Sequence, residues 1–361
     1  MPTRRRFLQS STLAAATLAA PRLFAAQVQD KSGLAPPILG EGDHQYECLH
    51  DWGQLPPTIA YGNTHGVCED SQGNIYIKHT VHATSSKNDA IVVFDSDGKF
   101  IRSWGAEYKG GAHGLHLSSE KNGEYLYLCD QARGIVDKTT LTGEKVWTKT
   151  CPVESGLYNS AKEYHPTNVA MVPTPPLGIE AQPLEHAGEF FIADGYGKSW
   201  IHHYSANGEY LRSFGGPGAE RGQVSCPHGL MIDTRHAIAG HEGRPLLLIA
   251  DRANRRLQYF TLDGRHLAFF KDDVRLPCHF HTRGDMLLIP DLEARVTLLD
   301  RNNKLITQLG DGRNSALRDK PREQFQPGKF IAPHSAIFDH EGNIFVVEWV
   351  EVGRVTKLRK V

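Results

Sequence analysis

Cys226-Pro-His-Gly-Leu-Met-Ile-Asp233 is followed by Leu246-Leu-Leu-Ile-Ala-Asp251, Arg256-Leu-Gln-Tyr-Phe260 and Leu267-Ala-Phe-Phe270, with a Leu262-Asp-Gly264 turn before the last run. The apolar runs are only four to six residues long and are separated by turn residues, which favours antiparallel hairpins over helices. The same succession returns in Ala332-Pro-His-Ser-Ala-Ile-Phe-Asp339, Asn343-Ile-Phe-Val-Val347 and Gly353-Arg-Val-Thr-Lys-Leu358. One four-stranded unit cannot bury both of its faces, so copies of it must stack on one another.

Setting the copies in register on the second residue before the first apolar strand gives the anchors His65, His113, Thr167, His228, Cys278 and His334. They are spaced 48, 54, 61, 50 and 56 residues apart. A four-stranded unit with its turns takes about 40 to 50 residues, so the six anchors predict an all-β, six-bladed β-propeller. The longest interval holds Val172-Pro-Thr-Pro-Pro-Leu-Gly-Ile-Glu-Ala-Gln-Pro183, placed in an exposed loop. Only two clear strands follow the last anchor. Tyr46-Glu-Cys-Leu-His-Asp-Trp52-Gly53, before the first anchor, has the form of the blade-closing Phe100-Ile-Arg-Ser-Trp104-Gly105. The N-terminal strand is therefore expected to close the last blade and leave no open edge between first and last. A β-sandwich would account for neither the sixfold period nor this extra strand.

Composition agrees with one large folded body. Of 361 residues 40 % are hydrophobic and 9 % aromatic, which excludes a disordered chain, and a formal charge of −1 gives no nucleic-acid footprint. Residues 1–26 differ from the rest: Thr3-Arg-Arg-Arg-Phe-Leu8 precedes an Ala/Leu-rich run ending at Phe24-Ala-Ala26. This reads as a twin-arginine-type signal peptide, with the export machinery as partner and a periplasmic or secreted destination. The apolar run is too short to span a bilayer, so the mature form is expected to lack a stable transmembrane segment. Residues 27–43 read as a linker and 44–361 as the propeller, expected to be monomeric. Without the leader the balance is 36 basic against 41 acidic residues. The six cysteines show no CxxC spacing, which weighs against a zinc finger or redox motif; Cys129 and Cys151 are candidates for a bridge, the rest for buried small hydrophobes.

In a propeller the residues just before each inner strand meet at one mouth of the axial channel. His113, His228 and His334 fall on blades 2, 4 and 6, a threefold arrangement of imidazoles suited to a zinc ion with an open fourth position. The alternative is three rim histidines bonded to neighbouring backbone. His65 is a fourth candidate at this level, as hydrogen-bond donor, base or competing ligand. His165 lies two residues before Thr167, and His279 and His281 follow Cys278. Beyond strand ends, Asp194-Gly-Tyr196 and Asp251-Arg252 offer Tyr196 for proton transfer and Arg252 for a carboxylate. Asp194 and Asp251 read as turn caps.

With these residues the chain resembles the NHL-repeat six-bladed propellers, and within them the lyase domain of peptidylglycine α-amidating enzymes, over residues 44 to 360. The resemblance is carried by Ala-His113-Gly-Leu, Pro-His228-Gly-Leu, Pro-His334-Ser-Ala, Asp-Gly-Tyr196 and Asp-Arg252-Ala-Asn254. It implies catalytic zinc on His113, His228 and His334, with Tyr196 and Arg252 orienting or polarising a peptidyl α-hydroxyglycine that is cleaved to glyoxylate and a peptide amide. It also implies a structural calcium, although Ser335 stands where that family has Asp. Where the family has a blade 1 arginine, Ile77-Lys78-His79-Thr80 makes Lys78 the basic candidate. The functional expectation is an exported zinc-dependent lyase or hydrolase acting on a small polar or anionic substrate, or on a peptide. The alternatives are a non-enzymatic periplasmic propeller that binds peptide, glycan or protein, and a lactonase-like or quinoprotein-like enzyme.

Overall fold

The short apolar runs form strands where the turn residues separate them. A computed structural model of the chain describes residues 35–361 apart from 175–184, 236, 243 and 314. The signal segment, the first part of the linker and most of the proline-rich insertion lie outside the described residues. Five sheets are four-stranded meanders that begin at Thr64–Glu69, Ala112–Glu120, Asn168–Met171, Pro227–Asp233 and His281–Arg283, and they form blades 1 to 5. In blade 4 the second and third strands, Leu246–Asp251 and Arg256–Phe260, are buried throughout, whereas the outermost, His266–Phe270, is half-buried. That gradient explains the unbroken apolar runs of the inner strands, because a neighbouring blade covers each face.

The core therefore lies between blades. Val67, Ile77 and Val92 of blade 1 pack with Ile337, Phe345 and Val347 of blade 6. Ala170, Phe191 and Ile201 of blade 3 pack with Leu230, Leu247 and Ile249 of blade 4. Val172 belongs to this second cluster and exchanges backbone hydrogen bonds with Gly188 and Glu189, so the expected exposed loop begins later than Val172. Cys129 and Cys151, the candidates for a bridge, carry free thiols in the cluster between blades 2 and 3 and fill apolar space there.

Blade 6 closes as expected. Tyr46–Leu49 pairs antiparallel with Arg354–Lys360, in the register Tyr46 to Lys360 and Leu49 to Lys357. Trp52 then packs edge-on against Phe94 of blade 1 and Phe345 of blade 6, at 5.5 and 4.7 Å. Ile38–Leu39, in the stretch read as linker, adds a short fifth strand outside Tyr46–Leu49. Among the described residues no helix is long and apolar enough to cross a membrane.

Candidate metal centre

The inner strands of blades 1, 2, 4 and 6 each shift register in their ladder at the anchor. The breaks fall between Thr64 and Gly66, Ala112 and Leu115, Pro227 and Leu230, and Pro333 and Ser335. A bulge bends the strand and re-aims the residue it leaves unpaired. These are the blades that carry His65, His113, His228 and His334, and the four rings gather at the axis. Ring centroids of His113, His228 and His334 are 4.7–4.8 Å apart, and His65 lies 4.9 Å from His113 and 4.5 Å from His334. All four residues are at most 7 % exposed.

Glycine after the histidine lets the next blade come close. A Cβ on Gly114 would lie 2.3 Å from the carbonyl oxygen of Thr167, and one on Gly229 would lie 2.5 Å from that of Cys278. Those oxygens accept hydrogen bonds from Nδ1 of His113 at 2.8 Å and of His228 at 2.9 Å. His334 repeats the pattern on blade 6, donating from Nδ1 to the carbonyl of His65 at 2.8 Å. Carbonyl oxygen only accepts, so each of the three rings carries its proton on Nδ1 and, when neutral, leaves Nε2 as a bare lone pair. His65 differs: its Nδ1 lies 3.2 Å from Nε2 of His334 and must be the donor there, which leaves its own Nε2 bare.

Four bare nitrogens thus share few donors. The hydroxyl of Tyr196 lies 3.2 Å from Nε2 of His113 and 3.1 Å from Nε2 of His228, but its one proton serves only one of them. Arg252 donates to the same oxygen at 3.3 Å and stacks over the phenol ring at 5.2 Å. After His65 has served His334 and Tyr196 one of the other rings, two lone pairs remain without a donor among the described residues, a deficit that a cation satisfies. Beneath the rings lies a cavity of about 10 Å³, room for about one water-sized particle. The nitrogens of His65, His113 and His334 all lie within 4.8 Å of one another, so a three-histidine set able to coordinate a metal ion is present. Two overlapping triads share His113 and His334. The identical Nδ1 anchoring favours His228 as third member, since an outer hydrogen bond that fixes the tautomer is the usual partner of a ligating imidazole.

Burial holds the rings neutral. It lowers His113 to about 3, helped by the charges of Arg252 and Lys78, and keeps His65, His228 and His334 well below the ordinary imidazole value. The phenol of Tyr196 is pushed up to about 12 by burial against the pull of Arg252. The residue as a whole is 38 % exposed, with its hydroxyl held by His113, His228 and Arg252.

Lys78 is fully buried, with its ammonium on the carbonyls of Gly114 at 3.1 Å and Cys129 at 2.7 Å, and burial lowers it to about 8. It braces the backbone beside His113. Asp194 and Asp251 cap turns: the first accepts from the backbone of His165 and Lys198, the second from Ser225. The hydroxyl of Ser335 lies 3.3 Å from Nδ1 of His279. Two contacts were not foreseen. Arg252 also reaches Sγ of Cys226 at 3.1 Å and of Cys278 at 3.9 Å, which the adjacency Cys226-Pro-His228 and the anchor position of Cys278 could have suggested. Arg318 stacks on Trp349 at 3.0 Å and interacts electrostatically with Tyr196; nothing in the repeat pattern points to it.

Fold and site define a six-bladed β-propeller with a histidine cluster, able to hold a metal, at one mouth of its axis. No protein-family model matches the chain. Peptidyl-alpha-hydroxyglycine alpha-amidating lyase 2 of Drosophila melanogaster is 29 % identical over 188 residues, which take in 52 % of this chain and 40 % of that protein. The chain thus spans well under half of that relative's length. Two solved structures share the fold. A catalytically inactive virginiamycin B lyase from Staphylococcus aureus, with quinupristin, matches at TM-score 0.53 and 13 % identity, covering 87 % of this chain and 100 % of that one. A streptogramin B lyase matches at 0.55 and 10 %, covering 89 % and 99 %.

Proposed function

We propose that the chain is an exported zinc-dependent lyase acting on a small polar or anionic substrate, of the peptidyl α-hydroxyglycine kind. The observation that carries this reading is the set of three imidazoles on alternating blades, each fixed through Nδ1 to the next blade so that Nε2 is left unprotonated. His113, His228 and His334 are the proposed ligands. Zinc on these nitrogens supplies a Lewis acid that polarises a substrate oxygen.

The chain's own groups divide the remaining work. Arg252 has no carboxylate partner among the described residues and binds the substrate carboxylate. Nε2 of His65 takes the proton of the α-hydroxyl. As the C–N bond breaks and the C=O bond forms, the leaving nitrogen takes the proton of Tyr196, whose raised pKa keeps it a phenol. The products are then glyoxylate and an amide. Lys78 holds the Gly114 carbonyl and acts through position alone. The arginine-rich leader directs the protein to the periplasm.

Metal analysis of the purified protein tests the ligands: about one zinc per chain is expected, falling below about 0.2 in His228→Ala. His65→Ala is expected to keep its zinc. The opposite result would place the metal on His65, His113 and His334. For the reaction, glyoxylate release from an α-hydroxyglycine peptide is expected to fall about 10²-fold or more in Tyr196→Phe and in Arg252→Ala. Activity unchanged in both would reject their roles.

A further inference from the structure

The axis holds a second cavity, of 720 Å³, formed by the far ends of the inner strands of all six blades and therefore opposite the histidine cluster. Its lining shares Leu115 and His279 with the small cavity beneath the rings, so the two spaces lie in line. The volume is that of a small-molecule site, about 300–1,000 Å³. Its wall is largely apolar, with Leu115, Met171, Leu230, Ile232, Phe280 and Phe338.

The charged groups of this cavity are already engaged. The carboxylate of Glu69 accepts from the ring and the backbone N–H of His340, that of Asp339 from Asn343, and Arg283 donates to the His340 carbonyl. The unspent polar capacity belongs to the buried hydroxyl of Thr174 and to imidazoles. Nδ1 of His281 accepts from the Phe338 N–H at 3.1 Å, so the neutral ring carries its proton on Nε2, which has no partner among the described residues. His116 has no hydrogen-bond partner among them either. Burial lowers His281 to about 3 and His116 and His279 to about 4, with repulsion from neighbouring rings adding to it for the first two, so these three rings are uncharged at neutral pH.

We propose that this cavity is a second binding site, for a neutral and largely apolar small molecule that carries a hydroxyl or carbonyl group. A hydroxyl accepts from Nε2–H of His281 and donates to the free nitrogen of His116, while the hydrocarbon body covers the apolar wall. An anion finds no free buried cation there, and a bare hydrocarbon leaves both imidazoles unsatisfied. The proposal is independent of the metal and of the reaction at the other mouth.

The probe is 2-naphthol, followed by fluorescence and calorimetry, with naphthalene-2-sulfonate and naphthalene as the anionic and apolar counterparts. Saturable binding of one 2-naphthol per chain is expected, at least about ten-fold tighter than either counterpart. Met231→Trp, which fills the cavity, is expected to abolish binding, and His116→Leu to weaken it about ten-fold, with thermal unfolding and metal content unchanged. Should Met231→Trp fail to fold, His116→Leu and the counterpart probes still decide. No saturable binding, equal or tighter binding of the sulfonate, or binding indifferent to His116→Leu would overturn the proposal.

Discussion

Gly114 and Gly229 each follow a site histidine, and at both a Cβ would meet the carbonyl on which that histidine's Nδ1 rests. Gly229→Ala is expected to push the Cys278 carbonyl outward and break the hydrogen bond that fixes the His228 tautomer. The cost should be about 1–3 kcal/mol of stability and about 10–100-fold in zinc affinity, read by unfolding and by chelator competition. Gly240→Ala is the control: φ is +79° but the space is open, so stability falls slightly and zinc affinity holds. Equal effects on affinity would remove the anchoring argument. Aligning the repeats was enough to place the four histidines at one level, since equivalent positions in a ring share a height. The protonated nitrogen was not legible, because it depends on a bulge and on a carbonyl some fifty residues away. The sequence shows Lys78 only as a cation near the site; two of its three N–H donors go to backbone carbonyls. The approach of Cys226 and Cys278 to Arg252 and the stack of Arg318 on Trp349 depend on loop paths that no periodicity encodes.

Ring closure rests on Tyr46–Leu49, which covers the edge of Arg354–Lys360 and buries Tyr46 to 1 % exposure in the blade 5–blade 6 core. Tyr46→Ala is expected to cost about 3 kcal/mol or more, the cost of removing a buried aromatic, whereas Ile38→Ala on the half-exposed fifth strand should stay within about 0.5 kcal/mol. Urea unfolding checks both, and similar losses would mean that the closing strand bears no particular load. Closure was legible because a strand with the form of a blade end stood before the first anchor while the last blade lacked one. Ile38–Leu39 was not, since two residues between Pro37 and Gly40 show no alternation. Val172 was misjudged for a related reason: the prolines that follow it signal a loop, but its pairing with Gly188 lies beyond the insertion.

At the scale of the whole ring, tight blade packing buries many of the 19 histidines in neutral form, and this sets a pH dependence of stability. His79 and His202 are fully buried, and desolvation lowers both to about 3, far below the unfolded value of about 6.5. A depressed imidazole pKa means that the unfolded chain binds the proton first. The native state is therefore most favoured above pH 6.5 and loses ground as the pH falls toward about 3. At pH 5 each such residue contributes a loss of about 2 kcal/mol, so the two together account for about 4 kcal/mol between pH 7 and pH 5. Asp194 and Asp291, whose pKa burial raises, act in the opposite sense as the pH approaches their own values. Urea unfolding in excess chelator, which removes the competition between protons and metal, is expected to show the loss. His79→Asn retains an acceptor for the N–H groups of Gly62 and Val81 and is expected to lessen the loss by about 2 kcal/mol. A stability that stays level or rises from pH 7 to pH 5, or a loss unchanged in His79→Asn, would show that these rings are not held neutral by the ring's packing.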